Sequence, residues 1–467
     1  MSLQTILLGT MTVLFIIGIL LIVILWFARK AIVKKMVASF MKIVFLDDYE
    51  ENIMELFPGL RRFGLQRLLE NSLRATSGEV LHRPLGSVRK WPTFEPITFL
   101  PAQTTPFPIS SEVEVDTKVK LGPRAKKPLE IDIPIMVSGM GFGVGLSEKA
   151  KVALARGSAK AKTAICSGEG PFLQEERDAA SKYILQYSKT PWSKERSEIQ
   201  QADMIEIKFG QGALAAMGSQ IQPKDLPQKA LDLMKASPDD DMVIIYERFF
   251  ENQSLKDFRE LVDELRELTG GVPIGAKMMM GGKIEEDLDH LLEIGVDVIA
   301  LDGGQAASHD APTITQDDFG IPTLHGLFRA IKHLENRGVR QDVSIICSGG
   351  LSSPGDYLKA MALGADAVYI GSALVFALAH DQVLKAVPFE PPTQVVWANG
   401  KYKDDFDVAK GADAVYNFLE ASAKEVKVGL RAMGKTSLDD LSMKDLVSYD
   451  EHTAKMLGIP YTFRPFH

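Results

Sequence analysis

The feature that most constrains this chain is a repeat of pattern: between residues 133 and 370, short apolar runs alternate with stretches of helical periodicity. The runs fall at 133–137, 163–166, 204–209, 242–246, 272–277, 296–301, 343–347 and 365–370, with amphipathic patterns such as 255–268, 285–292 and 324–334 between them. Strand-length apolar runs separated by helices signify a parallel sheet, because parallel neighbours need a long crossover. Eight such units predict an α/β chain closed into a (β/α)8 barrel of the TIM type. The alternative, a doubly wound open sheet, would carry G-x-G-x-x-G after its first strand. Here Gly139, Gly141, Gly143 and Gly145 merely alternate.

Functional groups of such barrels gather at the C-terminal strand ends. Past the runs the sequence reads Ser138-Gly-Met-Gly, Ser167-Gly-Glu-Gly, Gly210-Gln-Gly, Glu247-Arg, Lys277, Asp302-Gly-Gly, Ser348-Gly-Gly and Gly371-Ser. A single glycine there closes a tight turn, but their joint occurrence at one end predicts a ligand site. Ser348-Gly349-Gly350 and Gly371-Ser372-Ala373 present bare N–H groups and a helix N-terminus, which suits a phosphate. No Walker-type lysine motif is present, so the ligand is read as a phosphorylated substrate or flavin mononucleotide.

Residues 6–27 form a run of 22 without a charged side chain. At about 1.5 Å per residue, a helix of that length matches the hydrocarbon thickness of a bilayer. A single transmembrane anchor is expected, since Met1 to Thr5 lacks the basic start of a cleavable signal. Arg29, Lys30, Lys34, Lys35 and Lys42 follow the run, and the positive-inside rule places that flank in the cytoplasm. The expectation is a single-pass cell-membrane protein with a cytoplasmic catalytic domain. Four segments are expected: an anchor over 1–30, juxtamembrane helices and a Pro-rich lead-in over 31–127, the barrel over 128–434, and a C-terminal tail over 435–467. The prolines at 92, 96, 101, 106, 108 and 123 forbid long helices in the lead-in.

Composition narrows the function. The 53 Lys+Arg against 61 Asp+Glu give a net charge of −8, without the basic excess of a nucleic-acid binder. Cys166 and Cys347 cannot hold an iron–sulfur cluster by thiolates alone, and they read as small buried hydrophobes. No histidine–carboxylate spacing suggests a metal. His309, within Ser308-His309-Asp310, and His325 follow the sixth run and are candidates to reach the active face.

Taken together, Ser138-Gly-Met-Gly-Phe-Gly, Ser167-Gly-Glu-Gly, Glu206-Ile-Lys-Phe-Gly-Gln-Gly-Ala, Asp302-Gly-Gly and Ser348-Gly-Gly resemble the FMN-binding synthase domain of glutamate synthases over about residues 128–379. The resemblance implies an FMN-dependent oxidoreductase whose flavin phosphate lies on Gly349, Gly350, Gly371 and Ser372. It places Ser138, Met140 and Gly141 at the isoalloxazine, Lys277 at its pyrimidine end, and Asp302, Gly303, Gly304 and Ser348 in the cofactor set. Lys208 and Gln211 match the family's K-x-x-Q-G-A element near flavin and substrate, and Glu169 matches an active-site glutamate able to hold an amine or move a proton. Lys277, Glu169, Gln211 and Lys208 are therefore the expected catalytic residues. Lys208 and Gln211 fall on opposite faces of a regular strand, so the turn at Gly210 must redirect Gln211.

The departures from the family pattern are specific. Leu214-Ala-Ala-Met-Gly-Ser stands where the family has a lysine and an acidic Gly-rich stretch, and Glu247-Arg-Phe-Phe-Glu replaces a Pro- and His-rich segment. Arg248 is the expected substitute clamp for a substrate carboxylate, with Gln211 beside it. The cluster cysteines, an N-terminal cysteine nucleophile and a glutaminase domain are not found, so this chain alone is not expected to release ammonia from glutamine. The expected substrate is an amino acid, imino acid or related small carbonyl compound, with an unidentified electron donor and an open oligomeric state. Hydroxy-acid oxidation, flavin-assisted isomerisation and a non-catalytic tethered binding module are the alternatives.

Overall fold

The computed structural model describes residues 3–250, 253–309 and 311–463. Glu251, Asp310 and the final residues of the tail lie outside them. The chain divides into two compact units, Met1–Leu81 and His82–His467, so the lead-in expected over 31–127 straddles the division.

The first unit holds a 44-residue helix, Leu3–Leu46, followed by the short helices Leu56–Phe63 and Leu65–Ser77. It carries a window apolar enough to cross a membrane, with none of that window buried. The helix does not stop at the end of the apolar run but continues through the basic residues to Leu46.

In the second unit the strands are β1 (Ile97–Phe99), β2 (Val119–Leu121), β3 (Leu129–Ile131), β4 (Ile135–Val137), β5 (Ala164–Cys166), β6 (Lys182–Tyr187), β7 (Met204–Lys208), β8 (Ser219–Ile221), β9 (Val243–Ile245), β10 (Ile274–Met279), β11 (Val298–Asp302), β12 (Ser344–Ser348), β13 (Ala367–Ile370) and β14 (Leu446–Ser448). Eight of them close a barrel in the order β10-β11-β12-β13-β4-β5-β6-β7, with parallel pairing throughout. The barrel is thus as the apolar pattern predicts, with one exchange of strands. The run at 242–246 is not a barrel strand: β9 pairs antiparallel with β8 in a hairpin outside the barrel. Its central Ile244 is exposed, whereas Val243 and Ile245 pack with Phe142, Trp192, Leu226 and Leu231 in a small separate core. The barrel strand in its place is β6, whose Lys182 and Gln186 interrupt the apolar pattern and hide it.

Alternation along each strand divides the residues between two environments. On β7, Ile205 and Ile207 pack outward with the helices, and Met204 packs inward with Met136, Ala164, Ile184, Val298 and Ile346. The lower end of the lumen is closed by the β2–β3 hairpin, which contributes Leu121, Leu129 and Ile131 to that inner cluster. The helix Val408–Ala432 packs on Glu148–Lys160, and Gly157 lets Val415 approach its backbone. The tail returns to the body through β14, which pairs with β1, and through Ser448 N–H donating to the Pro460 carbonyl at 3.0 Å.

Leu129 is 1 % exposed at the barrel floor. Leu129→Ala should lower stability by about 2–5 kcal/mol through lost burial and a residual cavity. The shift of the chemical denaturation midpoint relative to the parent chain measures it.

Candidate active site

The strand ends converge on one cavity of about 860 Å³, within the roughly 300–1,000 Å³ typical of small-molecule sites. Ser138, Met140, Gly141, Ser348, Gly349, Gly350, Gly371 and Ser372 all line it, as do Glu169, Lys208, Gln211, Lys277 and Asp302. Gly303 and Gly304 do not: Gly303 N–H donates to the Ser348 carbonyl at 2.9 Å, and both glycines let Thr323 and Trp91 pack against the backbone. They shape the wall from behind. Arg248 is also absent from the lining and stands exposed after the β8–β9 hairpin, whose Ser219 and Ile245 do line the cavity. The cations that do line the cavity are Arg89, Lys90, Lys208 and Lys277. Leu214 lines it where the family pattern has a lysine.

The floor is a buried charge cluster. Lys277 Nζ lies 3.3 Å from Asp302 Oδ2, with both side chains 4 % exposed. Burial alone would lower the Lys277 pKa, but Asp302 and Glu206 outweigh it and hold the ammonium above its ordinary value. Glu206 is fully buried and accepts from Gln186 Nε2 at 2.7 Å, while Lys277 sits 5.6 Å from the Tyr369 ring centroid. Asp302 Oδ2 also accepts from Gly212 N–H at 3.2 Å. Its buried Oδ1 has no hydrogen-bond partner among the described residues.

Lys208 stands level with Lys277 on the adjacent strand and pairs with Glu169 across the cavity wall. The two ammonium groups thus tolerate one another because each has its own carboxylate. Gln211 is redirected as the sequence requires: its N–H donates to the Ala215 carbonyl at 2.9 Å, and its side-chain amide donates to Ser308 Oγ at 2.9 Å. His309 lines the cavity edge-on to Trp397, with ring centroids 5.0 Å apart, whereas His325 does not line it and is half-buried. Cys166 and Cys347 are fully buried, and burial pushes both thiols up.

The first two loops interlock through glycine. A Cβ on Gly141 would meet Gly170 N at 2.5 Å, so the alternating glycines serve loop-on-loop contact and carry no nucleotide fingerprint. The phosphate expectation has its own geometry. Gly349 and Gly350 adopt φ of +110° and +71°, where a side chain is disfavoured, and Gly371 caps the helix Ser372–Ala379, whose first N–H groups lack intrahelical acceptors. This cradle and the unpartnered Oδ1 of Asp302, on the cavity wall, fit a phosphate-bearing, hydroxyl-rich cofactor.

Several participants escaped the sequence reading. Residues 84–95 of the lead-in supply a wall of the cavity, including Trp91. Lys189 donates to the carbonyls of Phe209 and Ala216 at 2.7 and 3.1 Å. Burial, reinforced by the nearby Lys208 charge, lowers its pKa to about 8. Lys151 and Glu176 form a buried pair at 2.7 Å, and Lys151 donates to the Ser167 carbonyl at 3.0 Å, steadying the loop that carries Glu169. Burial pushes Glu176 up to about 7 against the pull of Lys151. Only the amphipathic position of Lys151 on its helix could have signalled this, because its partner is remote in sequence.

Fold and site together define a (β/α)8 barrel with a ligand cavity at its C-terminal rim. The family model described as "Conserved region in glutamate synthase" matches residues 98–436, and the chain belongs to the glutamate synthase family. It is 30 % identical over 412 residues to a glutamate synthase large subunit-like protein of Rhizobium meliloti, covering 84 % of this chain and 92 % of that one. It is 27 % identical over 312 residues to an archaeal-type glutamate synthase [NADPH] of Thermotoga maritima, covering 66 % of this chain and 61 % of that one. The chain therefore spans about three fifths of the archaeal-type relative. Among solved structures, a flavocytochrome b2 with benzoylformate superposes with a TM-score of 0.48 at 18 % identity, covering 80 % of this chain and 79 % of that one. A mandelate oxidase with an FMN adduct gives 0.47 at 16 % identity, covering 74 % and 87 %.

Lys151→Met leaves Glu176 buried without its cation and should cost about 3–5 kcal/mol. The double variant Lys151→Met/Glu176→Leu should recover most of that loss. Denaturant titration of the three proteins checks both signs.

Proposed function

We propose that this chain is a membrane-anchored, FMN-dependent oxidoreductase of glutamate synthase type, acting on an amino acid, an imino acid or a related small carbonyl compound. One observation carries the reading: the glycine cradle, Lys277 and the Lys208–Glu169 pair meet in a single cavity at the C-terminal rim of the barrel. Gly349, Gly350, Gly371 and Ser372 would hold the phosphate, with Ser138, Met140 and Gly141 along the ring and Asp302 on a ribityl hydroxyl. Bound there, FMN supplies reversible two-electron transfer.

Lys277 contributes a fixed positive charge at the floor, a partner for negative charge that develops when the cofactor is reduced. Its neighbours Asp302 and Glu206 keep it protonated across the physiological range. Lys208 offers N–H donors to a substrate carbonyl or carboxylate. Glu169, its partner, is the group to hold an amine or move a proton, and Gln211, anchored on Ser308, positions the same substrate. Leu214 removes a cation that the family pattern supplies. Lys208, already on the wall, is a better-placed substrate clamp than Arg248.

The anchor is the helix Leu3–Leu46. Its 44 residues extend about 66 Å at 1.5 Å each, well beyond the roughly 30 Å hydrocarbon layer. The apolar run spans the bilayer and the basic half projects into the cytoplasm, giving a single-pass arrangement with the barrel on the cytoplasmic side. The electron donor is a separate molecule or protein.

The full-length protein should carry a yellow chromophore released as FMN, and a colourless protein that FMN cannot restore would exclude the reading in favour of a non-catalytic binding module. Under anaerobic conditions, bleaching by amino acids favours glutamate synthase-type chemistry, and bleaching by hydroxy acids alone favours the alternative. Lys277→Gln keeps a donor toward Asp302 but removes the charge, and should slow flavin reduction about 10²-fold while lowering the flavin midpoint potential. Stopped-flow absorbance and spectroelectrochemistry read the two effects. The full chain should also stay with membranes after an alkaline carbonate wash; release by that wash refutes a spanning anchor.

A further inference from the structure

Residues 82–95 precede the region that the family model matches, 98–436. They nonetheless wall the cavity, with Pro84, Leu85, Ser87, Arg89, Lys90 and Trp91 among its lining. This strap has no regular secondary structure to hold its shape; besides Lys359, which donates to the Phe94 carbonyl at 3.0 Å, two fixed points lie on the loop and helix that follow β11.

The first fixed point is Asp317. It accepts from both terminal guanidinium nitrogens of Arg83 at 2.8 and 3.2 Å and from the Ser87 hydroxyl at 2.6 Å. Arg89 Nη1 donates to the Asp317 carbonyl at 2.6 Å. A fork of charge-assisted bonds on one carboxylate fixes direction as well as distance. Asp317 itself does not line the cavity.

The second fixed point is Gln305. Its Nε2 donates to the Pro92 carbonyl at 2.9 Å. Its Oε1 accepts from Thr323 N–H at 2.8 Å and lies 2.9 Å from the Thr323 hydroxyl, which is also 2.7 Å from the Gly349 carbonyl. The hydroxyl has one proton and serves one of these acceptors at a time. Gly350 backs directly onto the same side chain, where a Cβ would come within 2.8 Å of Gln305 Cβ. One amide therefore bridges the strap and the glycine turn expected to hold phosphate.

We infer that the strap is part of the flavin site and that Asp317 and Gln305 are positioning residues for the Gly349-Gly350 turn, so that retention of FMN depends on a segment outside the family region. The inference rests on the FMN reading above. The physical reason is that a phosphate held by backbone N–H groups requires those groups to point in fixed directions, and two consecutive glycines have the least intrinsic stiffness to do so. The strap supplies that stiffness through Gln305 and covers the mouth through which the cofactor leaves.

The test uses the full-length protein stripped of flavin and titrated with FMN by fluorescence quenching. Asp317→Ala should weaken FMN tenfold or more, chiefly through faster dissociation, and Asp317→Glu, which keeps the carboxylate, should recover part of the loss. Gln305→Met, similar in size but unable to bond either Pro92 or Thr323, should weaken it comparably. In the parent, FMN should slow tryptic cleavage at Arg89 and Lys90, and in Asp317→Ala it should not. A folded Asp317→Ala, judged by circular dichroism, that binds FMN as the parent does overturns the inference while leaving the cofactor reading intact. If that variant does not fold, parental affinity in Gln305→Met, or no FMN protection of the parental strap, overturns it instead. A parent that takes up no FMN overturns both.

Discussion

The upper half of the barrel lumen is organised around a desolvated ammonium. Lys277 is buried with Asp302 beside it and Glu206 below, and these two carboxylates hold its ammonium charged against the cost of burial. That need ties together three strands, because β7, β10 and β11 must stand in a register that brings Glu206, Lys277 and Asp302 to the same region. It also explains the polarity gradient along each inward row. Met204, Glu206 and Lys208 run from apolar floor to charged rim on one strand, and Val298, Ala300 and Asp302 do so on another. The β2–β3 hairpin keeps water out of the lower end, so the charges face only the cavity.

Glycine does two different jobs at that rim. In the first two loops, Gly141, Gly168 and Gly170 let one backbone lie directly against another, which is how Met140 and Glu169 come to border the same space. At Gly349 and Gly350 the requirement is conformational, a backbone at positive φ that disfavours a side chain. The buried Lys151–Glu176 pair and the strap clamp on Asp317 stiffen these loops from outside the site. Rigid support for a loop-built site is what catalysis at fixed geometry demands.

Much of this was legible before the structure. Seven of the barrel strands and the helix Leu255–Leu268 follow from apolar periodicity. The exchange of β6 for β9 was not legible, for a physical reason: β6 carries Gln186 inward, where it donates to Glu206, and a buried polar pair looks in sequence like two surface residues. Conversely, Val243 and Ile245 look like core strand residues because they are buried, but in a hairpin with a core of its own. Arg248 stands exposed outside the cavity lining for the same kind of reason, since its place depends on how the segment after β9 folds.

By itself the sequence determined the class of fold, the end of the barrel that carries function and the chemical types gathered there, because these depend on local periodicity and on residues that must cluster at strand ends. Only the tertiary structure decided which carboxylate neutralises which lysine, that Gly303 and Gly304 stand behind the wall, and that a proline-rich lead-in forms part of the cavity. Those outcomes depend on contacts between residues far apart in the chain, such as Gln305 with Pro92 and Arg83 with Asp317. Local pattern carries no information about a partner more than 200 positions away, and register and loop path must exist before such pairs can form.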